Sequence, residues 1–507
     1  MEISSKQISP VTRAHFLSRG LCGGLLALAW VSQPLPAVAD AAADEPVSKE
    51  ALFDLLDEPK PDTAAKQVGK DLPGLIEKEA LSAEAADKKV LFDIAESSAK
   101  PSEKTPVNAK AVRGYVQLEA ARTYASPAHW SKALGRLELG SQGKLNGGGQ
   151  WKLSGRVDFN GIYDLDDFYQ SDVRDDQRAE FHLRETYLDF SSGDWEWRLG
   201  RQNIVWGEMV GMFLADVVSA KDLREFILPD FQILRIPQWA ARAEYYLDDD
   251  HLELVWIPWP SYDEIGKPAD FTKTGSGADF YPYPPVPNNH TFLKEQKPSA
   301  KLSRGNFGAR ISRLREGWDM SGFYYTSMNN TATFYPVAPD VYEPRHDRIW
   351  QLGGSVAKDM GWAVVKAEAV YTQGRRFNLM STGDVVKQPM LDWAIGFDVN
   401  PDTDTRLNAQ FFQSRIFDHE ADVLPDRVEN GVSFYVTRAL PNKWRAEILL
   451  MSSINRADWM ARPKVSWGFQ PNWKLTFGAD VFNGPITGFF GQYDAQDRVY
   501  TELRHDF

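Results

Sequence analysis

From about residue 113 onward, apolar and polar residues alternate with a period of two over stretches of about ten residues, and few folds tolerate that pattern repeated so often. Trp151, Leu153, Val157 and Phe159 share one parity, with Lys152, Ser154, Arg156 and Asp158 on the other. Leu391, Trp393, Ile395, Phe397 and Val399 oppose Asp392, Gly396 and Asp398, and Trp473, Leu475, Phe477, Ala479 and Val481 oppose Lys474, Thr476 and Asp480. Period two places each set on one face of a strand. In a soluble sandwich the apolar face turns to a core, whereas in a membrane barrel it turns to lipid and the polar face lines a lumen.

The links between strands choose the barrel. Short polar turns at 141–149, 192–194, 248–250, 315–317, 358–361, 400–402, 441–442 and 470–472 alternate with longer links at 165–178, 204–236, 260–306, 329–345, 374–388, 417–428, 454–461 and 483–497. A brief first outer link falls at 126–129. Short turns on one side and long loops on the other are the rhythm of an outer-membrane hairpin series, and a sandwich has no reason to keep it. The arrangement predicts an all-β antiparallel transmembrane barrel of about 18 strands, with 16 as the alternative. Lipid leaves no other solution for strands, since every backbone group must be satisfied within the closed sheet. Trp130, Trp195, Trp197, Trp318, Trp362, Trp444 and Trp473 sit beside expected strand ends, where interfacial girdles belong. The last segment ends on Phe507, in phase with Leu503 and Val499, and reads as the tail taken up by the barrel-assembly machinery; His505 is the one polar residue on its lipid-side parity.

The start of the chain reads as a targeting segment. Lys6, Arg13 and Arg19 precede an apolar stretch over 20–31, and Ala37-Val38-Ala39 offers a cleavage site after Ala39. Cys22 is the only cysteine in 507 residues, so cleavage leaves a thiol-free exported chain, expected in the outer membrane of a Gram-negative bacterium. Residues 40–111 are rich in Ala, Lys, Glu, Asp and Pro, with weak helical patches at 50–56 and 90–94 that are too short to stand alone in water. They are expected to form a mobile periplasmic segment ahead of a barrel over 112–507. The formal net charge of −13 argues against nucleic acid as a partner.

The run Leu199-Gly200-Arg201-Gln202-Asn203-Ile204-Val205-Trp206-Gly207-Glu208 is followed by the 220–226 stretch, Ile236-Pro237-Gln238 and Trp256-Ile257-Pro258. It resembles a poorly characterised family of proteobacterial outer-membrane β-barrels in which an Arg-Gln…Trp-Gly element opens a long inserted loop. The resemblance spans roughly residues 110–507 and is most specific over 195–290. It implies export of hydrophobic, lipid-like cargo, in company with an inner-membrane pump and a periplasmic carrier. A distant likeness to alginate-export barrels rests on the Leu-Gly-Arg-Gln strand end and the strand count. A general or anion-selective diffusion porin, a polysaccharide exporter and a structural or adhesive surface protein are the alternatives. No cofactor is expected, the barrel is expected to be a monomer in outer-membrane lipid, and no nucleophile elbow or metal-protease motif supports an enzyme.

The 204–236 loop carries the main candidate site. Ser219-Ala220-Lys221-Asp222 has a capping-box form leading into Leu223, Phe226 and Ile227, which predicts a short helix folded inward to narrow the channel. Arg201, Trp206, Glu208, Lys221, Asp222 and Arg224 are expected around that constriction, as a charged network or as ion pairs that simply hold the loop. By parity, Lys152, Arg156, Arg242, Glu244, Arg310, Lys366, Glu368, Arg445 and Glu447 line the lumen, together with Asp158, Lys464, Lys474 and Asp480. The two signs are mixed, which is not the one-sided ladder of a pore for anionic polymers. The aromatic and proline residues of 260–306, from Tyr262 and Phe271 to Phe280–Pro287, predict a stiff cover over the mouth. The carboxylates of 164–176 are expected to be solvated, with Ca²⁺ as the other reading.

Overall fold

A computed structural model describes residues 112–507 apart from 147, 271–272, 283–290, 300 and 424. The expected leader of 1–39 and the 40–111 segment lie outside the described residues, as do Phe271, Tyr283, Pro284, Pro285 and Pro287 of the expected cover.

Eighteen strands form one sheet. They are β1 Arg113–Thr123, β2 His129–Lys144, β3 Gln150–Asn160, β4 Ala179–Ser192, β5 Trp195–Gln202 and β6 Gln238–Leu247. Next come β7 Asp250–Trp259, β8 Asn306–Arg315, β9 Trp318–Met328, β10 Arg348–Asp359, β11 Val364–Gln373 and β12 Met390–Val399. The last six are β13 Thr405–Ile416, β14 Val428–Leu440, β15 Trp444–Ser453, β16 Trp459–Gln470, β17 Trp473–Asn483 and β18 Arg498–Asp506. Each pairs antiparallel with its neighbours in the chain. The sheet closes where β1 also pairs with β18, from Tyr115 opposite Asp506 to Thr123 opposite Arg498. Gly114 and Phe507 seal the seam with reciprocal main-chain hydrogen bonds of 2.9 Å. Closure removes the sheet edge that lipid would leave unsatisfied.

Register is set at the short turns. Glu316 and Gly317 both take positive φ, 53° and 73°, the geometry of a tight hairpin whose twist matches the strands it joins. With one turn fixed, the period of two decides every side chain's direction along the pair. The outcome inverts a soluble protein. Phe181 on β4 is 71% exposed and Asp480 on β17 is 0% exposed, with Leu118, Ile311, Leu352 and Phe477 outward and Gln117, Arg156, Glu253 and Glu368 inward. At the short-turn rim Trp444 stacks on Trp467 at 5.3 Å, and the ring row continues through Phe469 and Trp473. His505 belongs to this row, stacked on Trp473 at 4.3 Å, which accounts for a polar ring on the outward parity.

The apolar core lies inside the cylinder, where loops meet the wall. One cluster packs Ile204, Trp206, Ala215 and Val218 against Val255, Ile257, Phe323, Tyr325 and Val370. A second gathers Phe226, Leu228, Phe280, Phe490 and Tyr493 from three loops onto Met451, Met460 and Phe482.

Candidate functional site

The 203–237 loop, which joins β5 to β6, is held by strands all around the barrel. Trp206 donates its Nε1–H to Glu253 of β7 at 3.1 Å. Glu368 of β11 accepts the main-chain N–H groups of Glu208, Met209 and Ala215, the last two at 3.0 and 3.1 Å. Gln410 of β13 donates to the Val210 carbonyl at 2.6 Å. On the other side Arg462 of β16 donates to the carbonyls of Ile227 and Leu228 at 3.3 and 2.6 Å. Arg184 of β4 donates to the Arg235 carbonyl at 2.9 Å and also to that of Gln232. A loop with anchors on β4, β7, β11, β13 and β16 crosses the lumen and does not cap it from above.

The expected helix after Ser219 does not form. Ala220–Lys221 pairs with Arg235–Ile236 as a two-residue ladder, and the loop's one short helix is Phe231–Leu234. The capping groups are engaged elsewhere: Ser219 donates to the Ile204 carbonyl at 3.0 Å, and the Lys221 N–H donates to Asp263 at 2.8 Å. Asp222 is turned toward Arg224, whose Nε lies 2.8 Å away. With its cap residues bound elsewhere in the loop and to Asp263, the segment takes turns where a helix would start.

The charged residues separate into three groups. Glu208 sits beside Glu368, receives Ser355 Oγ at 3.3 Å and lies 4.0 Å from Arg310. Arg224 bridges Asp222, Glu180 and Glu264, with His182 3.3 Å from Glu180. Burial alone would raise the Asp222 carboxyl, but the Arg224 guanidinium holds it below the ordinary range. Glu264 goes the other way: burial raises it, assisted by Asp222 and Glu180. The third group runs from Glu225 to Lys132 and Arg498, and on through Asp480 to Arg462. Burial pushes Glu225 up, and Lys132 and Arg498 together bring it below its usual value. Arg201 and Lys221 stand apart. Arg201 makes no ion pair among the described residues, and Lys221 Nζ donates to the Asp216 and Ser219 carbonyls at 3.2 and 3.0 Å.

Glu180, His182 and Asp222 place one ligand atom each within 4.8 Å of one another, the spacing of a metal site. Arg224 already pairs with both carboxylates of that group, which balances their charge from within the chain. The acidic 161–178 loop distributes its charge differently. Asp167 pairs with Arg174, Asp172 with Lys273 and Asp176 with Lys267, so its carboxylates face separate cations and do not converge.

Expected lumen residues form ion pairs within and between strands. Arg156 and Arg136 share Asp158, Lys152 meets Glu185, Arg242 bridges Glu244 and Glu253, and Lys366 meets Asp398 at 2.9 Å. On the short-turn side of the loop tip, Arg445, Glu447, Lys464, Lys474 and Glu502 line a chamber facing Leu228, Pro229 and Asp230. Above it lies the apolar cluster. Phe226 is at its centre, 4.7 Å from Tyr493 and 5.2 Å from Phe489 between ring centroids. Phe226 has φ of 55°, which costs a bulky L-residue about 1–3 kcal/mol and persists only where its surroundings fix it.

Sequence reasoning missed Glu253, Gln410, Arg184, Glu225, Arg462 and Arg498. Arg462 was legible by parity with Lys464, but Pro463 between them breaks the look of a central strand. Glu225 lies between two residues that were named, and nothing local marks it.

The closed cylinder, its lipid-facing apolar surface and a loop threaded through its interior define an outer-membrane β-barrel. The chain belongs to the family described as protein of unknown function (DUF1302), whose model matches residues 122–485. No curated protein matches it. Among solved structures it is similar to OccAB4 of Acinetobacter baumannii, at 10% identity and a TM-score of 0.46 over 80% of this chain and 99% of that one. It is similar also to opdK of Pseudomonas aeruginosa, at 8% identity and 0.44 over 78% and 99%. OmpF of Salmonella typhi, in complex with daunomycin, gives 9% identity and 0.40 over 78% and 97%.

Proposed function

We propose that the protein is a transport channel of the outer membrane whose conducting path is gated by the 203–237 loop. The supporting observation is the set of anchors from five strands around the circumference, with Glu368 holding residues 208–215 of the loop and Arg462 its tip at 227–228. Polar groups in a narrow lumen set which solutes pass and how fast. The paired lumen charges fit a closed, selective path better than a wide diffusion pore. Planar-bilayer recordings test this: Leu223→Asp and Phe226→Asp should raise conductance over the unaltered protein, and unchanged currents would remove the gate.

A second reading concerns the cargo. The apolar cluster of Phe226, Phe280, Met451, Met460, Phe482 and Phe490 in the outer half of the lumen favours a hydrophobic, lipid-like molecule. The family resemblance adds an export direction, with a pump and a periplasmic carrier as partners. A deletion strain that loses a surface lipid while keeping ordinary solute uptake would support this reading. Loss of solute uptake with surface lipids intact would replace it with a diffusion channel.

A further inference from the structure

Phe226 fills a socket built by other segments. Phe280 comes from the 260–305 loop, Phe489, Phe490 and Tyr493 from the 484–497 loop, and Met451, Met460 and Phe482 from the wall. Phe280, Phe482 and Tyr493 also pack on one another, at 5.5 to 6.0 Å. Two features separate this from an ordinary core. Its central ring is carried on a left-handed residue at the second position of the Glu225–Leu228 turn, so the backbone is strained to deliver it. Its outer wall is one ring thick, since Phe489, a residue of the 484–497 loop, packs tilted at 57° against Phe226 and is itself 56% exposed.

We infer that this socket is a binding site for a small aromatic ring arriving from the loop side, a site that Phe226 occupies in the closed state. Offset and edge-on ring contacts of the kind Phe226 makes are open equally to a ligand ring of that size. Release of Phe226 from φ 55° favours the exchange. Beneath the ring lie Arg498, 5.2 Å from the Phe280 face, and the Glu225–Lys132 pair, so a short polar substituent on the ligand would meet charge. The inference draws on the gate reading for its consequence, because a displaced Phe226 frees the loop tip.

The test uses the full chain in nanodiscs with methyl-labelled methionine and benzyl alcohol as the probe. In Phe226→Ala, the Met451 and Met460 signals should shift saturably, with a dissociation constant at least tenfold below that of the unaltered protein. Met320, which faces lipid, reports simple partitioning. Met451 and Met460 following Met320 would overturn the site. Phe226→Leu keeps the cluster filled and should bind at least tenfold more weakly than Phe226→Ala; equal binding by the two variants would also overturn it. Conductance of the unaltered protein, measured with the same probe, separates the two proposals. Saturable shifts without added current leave the site standing and remove the gate, whereas no saturable shift removes the site whatever the current does.

Discussion

Arg462 holds the main-chain carbonyl of Leu228 at 2.6 Å across 234 residues of sequence. One guanidinium on β16 thereby fixes the tip of a loop that leaves the barrel at β5. The same side chain reaches Asp480 at 2.8 Å, and Asp480 is shared with Arg498. Tip and wall are parts of one ionic chain.

Arg462→Met is therefore expected to free the tip while leaving Asp480 its second partner. Hydrogen bonds from a charged donor contribute about 1.5–3 kcal/mol each, and removal should lower the unfolding free energy by about 2–3 kcal/mol. Denaturant unfolding in vesicles measures the loss, and bilayer recordings should show a rise in current.

Glu368 has the larger effect. Its carboxylate accepts three loop N–H groups at 3% exposure, and Glu368→Ala strands all three, at a cost of about 2–4 kcal/mol. Glu368→Gln keeps one acceptor oxygen and should lose about half as much. Trypsin should cut the 203–237 loop faster in the Ala variant than in the Gln variant.

Acid should release the loop. Asp222 and Glu225 are held below their ordinary values when the loop is docked, by Arg224 and by Lys132 with Arg498, against a burial that would raise them. Stability from a lowered carboxylate is fully present above its free value, roughly pH 4, and is lost as pH falls through the docked value. Glu264, raised by burial, takes its proton earlier and on its own favours the docked state slightly as pH falls. Current should climb below about pH 4, and Asp222→Asn should show part of that rise at pH 7.

Trp206→Phe keeps the ring against Phe323 and Tyr325 and loses only the bond to Glu253. Glu253 retains Arg242 at 3.0 Å, so the loss should be about 1 kcal/mol, with no change in current.

The barrel could be read from the chain because period two and the alternation of link lengths are local signals, each legible within ten or twenty residues. Lys152, Arg156, Glu244 and Glu368 follow from parity alone. The inside of the 203–237 loop could not be read in this way. The Ser219 to Asp222 run suggests a helix by itself, and only the partners Ile204, Asp263 and Arg224 explain why it forms turns. Phe226 looks like one apolar residue among several, since its strain and its socket arise from segments some 50 to 270 residues away.

The central claim is that this loop closes the lumen. Replacing residues 209–234 with a short Gly-Ser linker leaves Trp206 and the β5–β6 pairing in place and removes the tip. Single-channel recording of that variant should give a large, steady conductance where the unaltered protein gives little. Equal conductance from the two proteins would contradict the account.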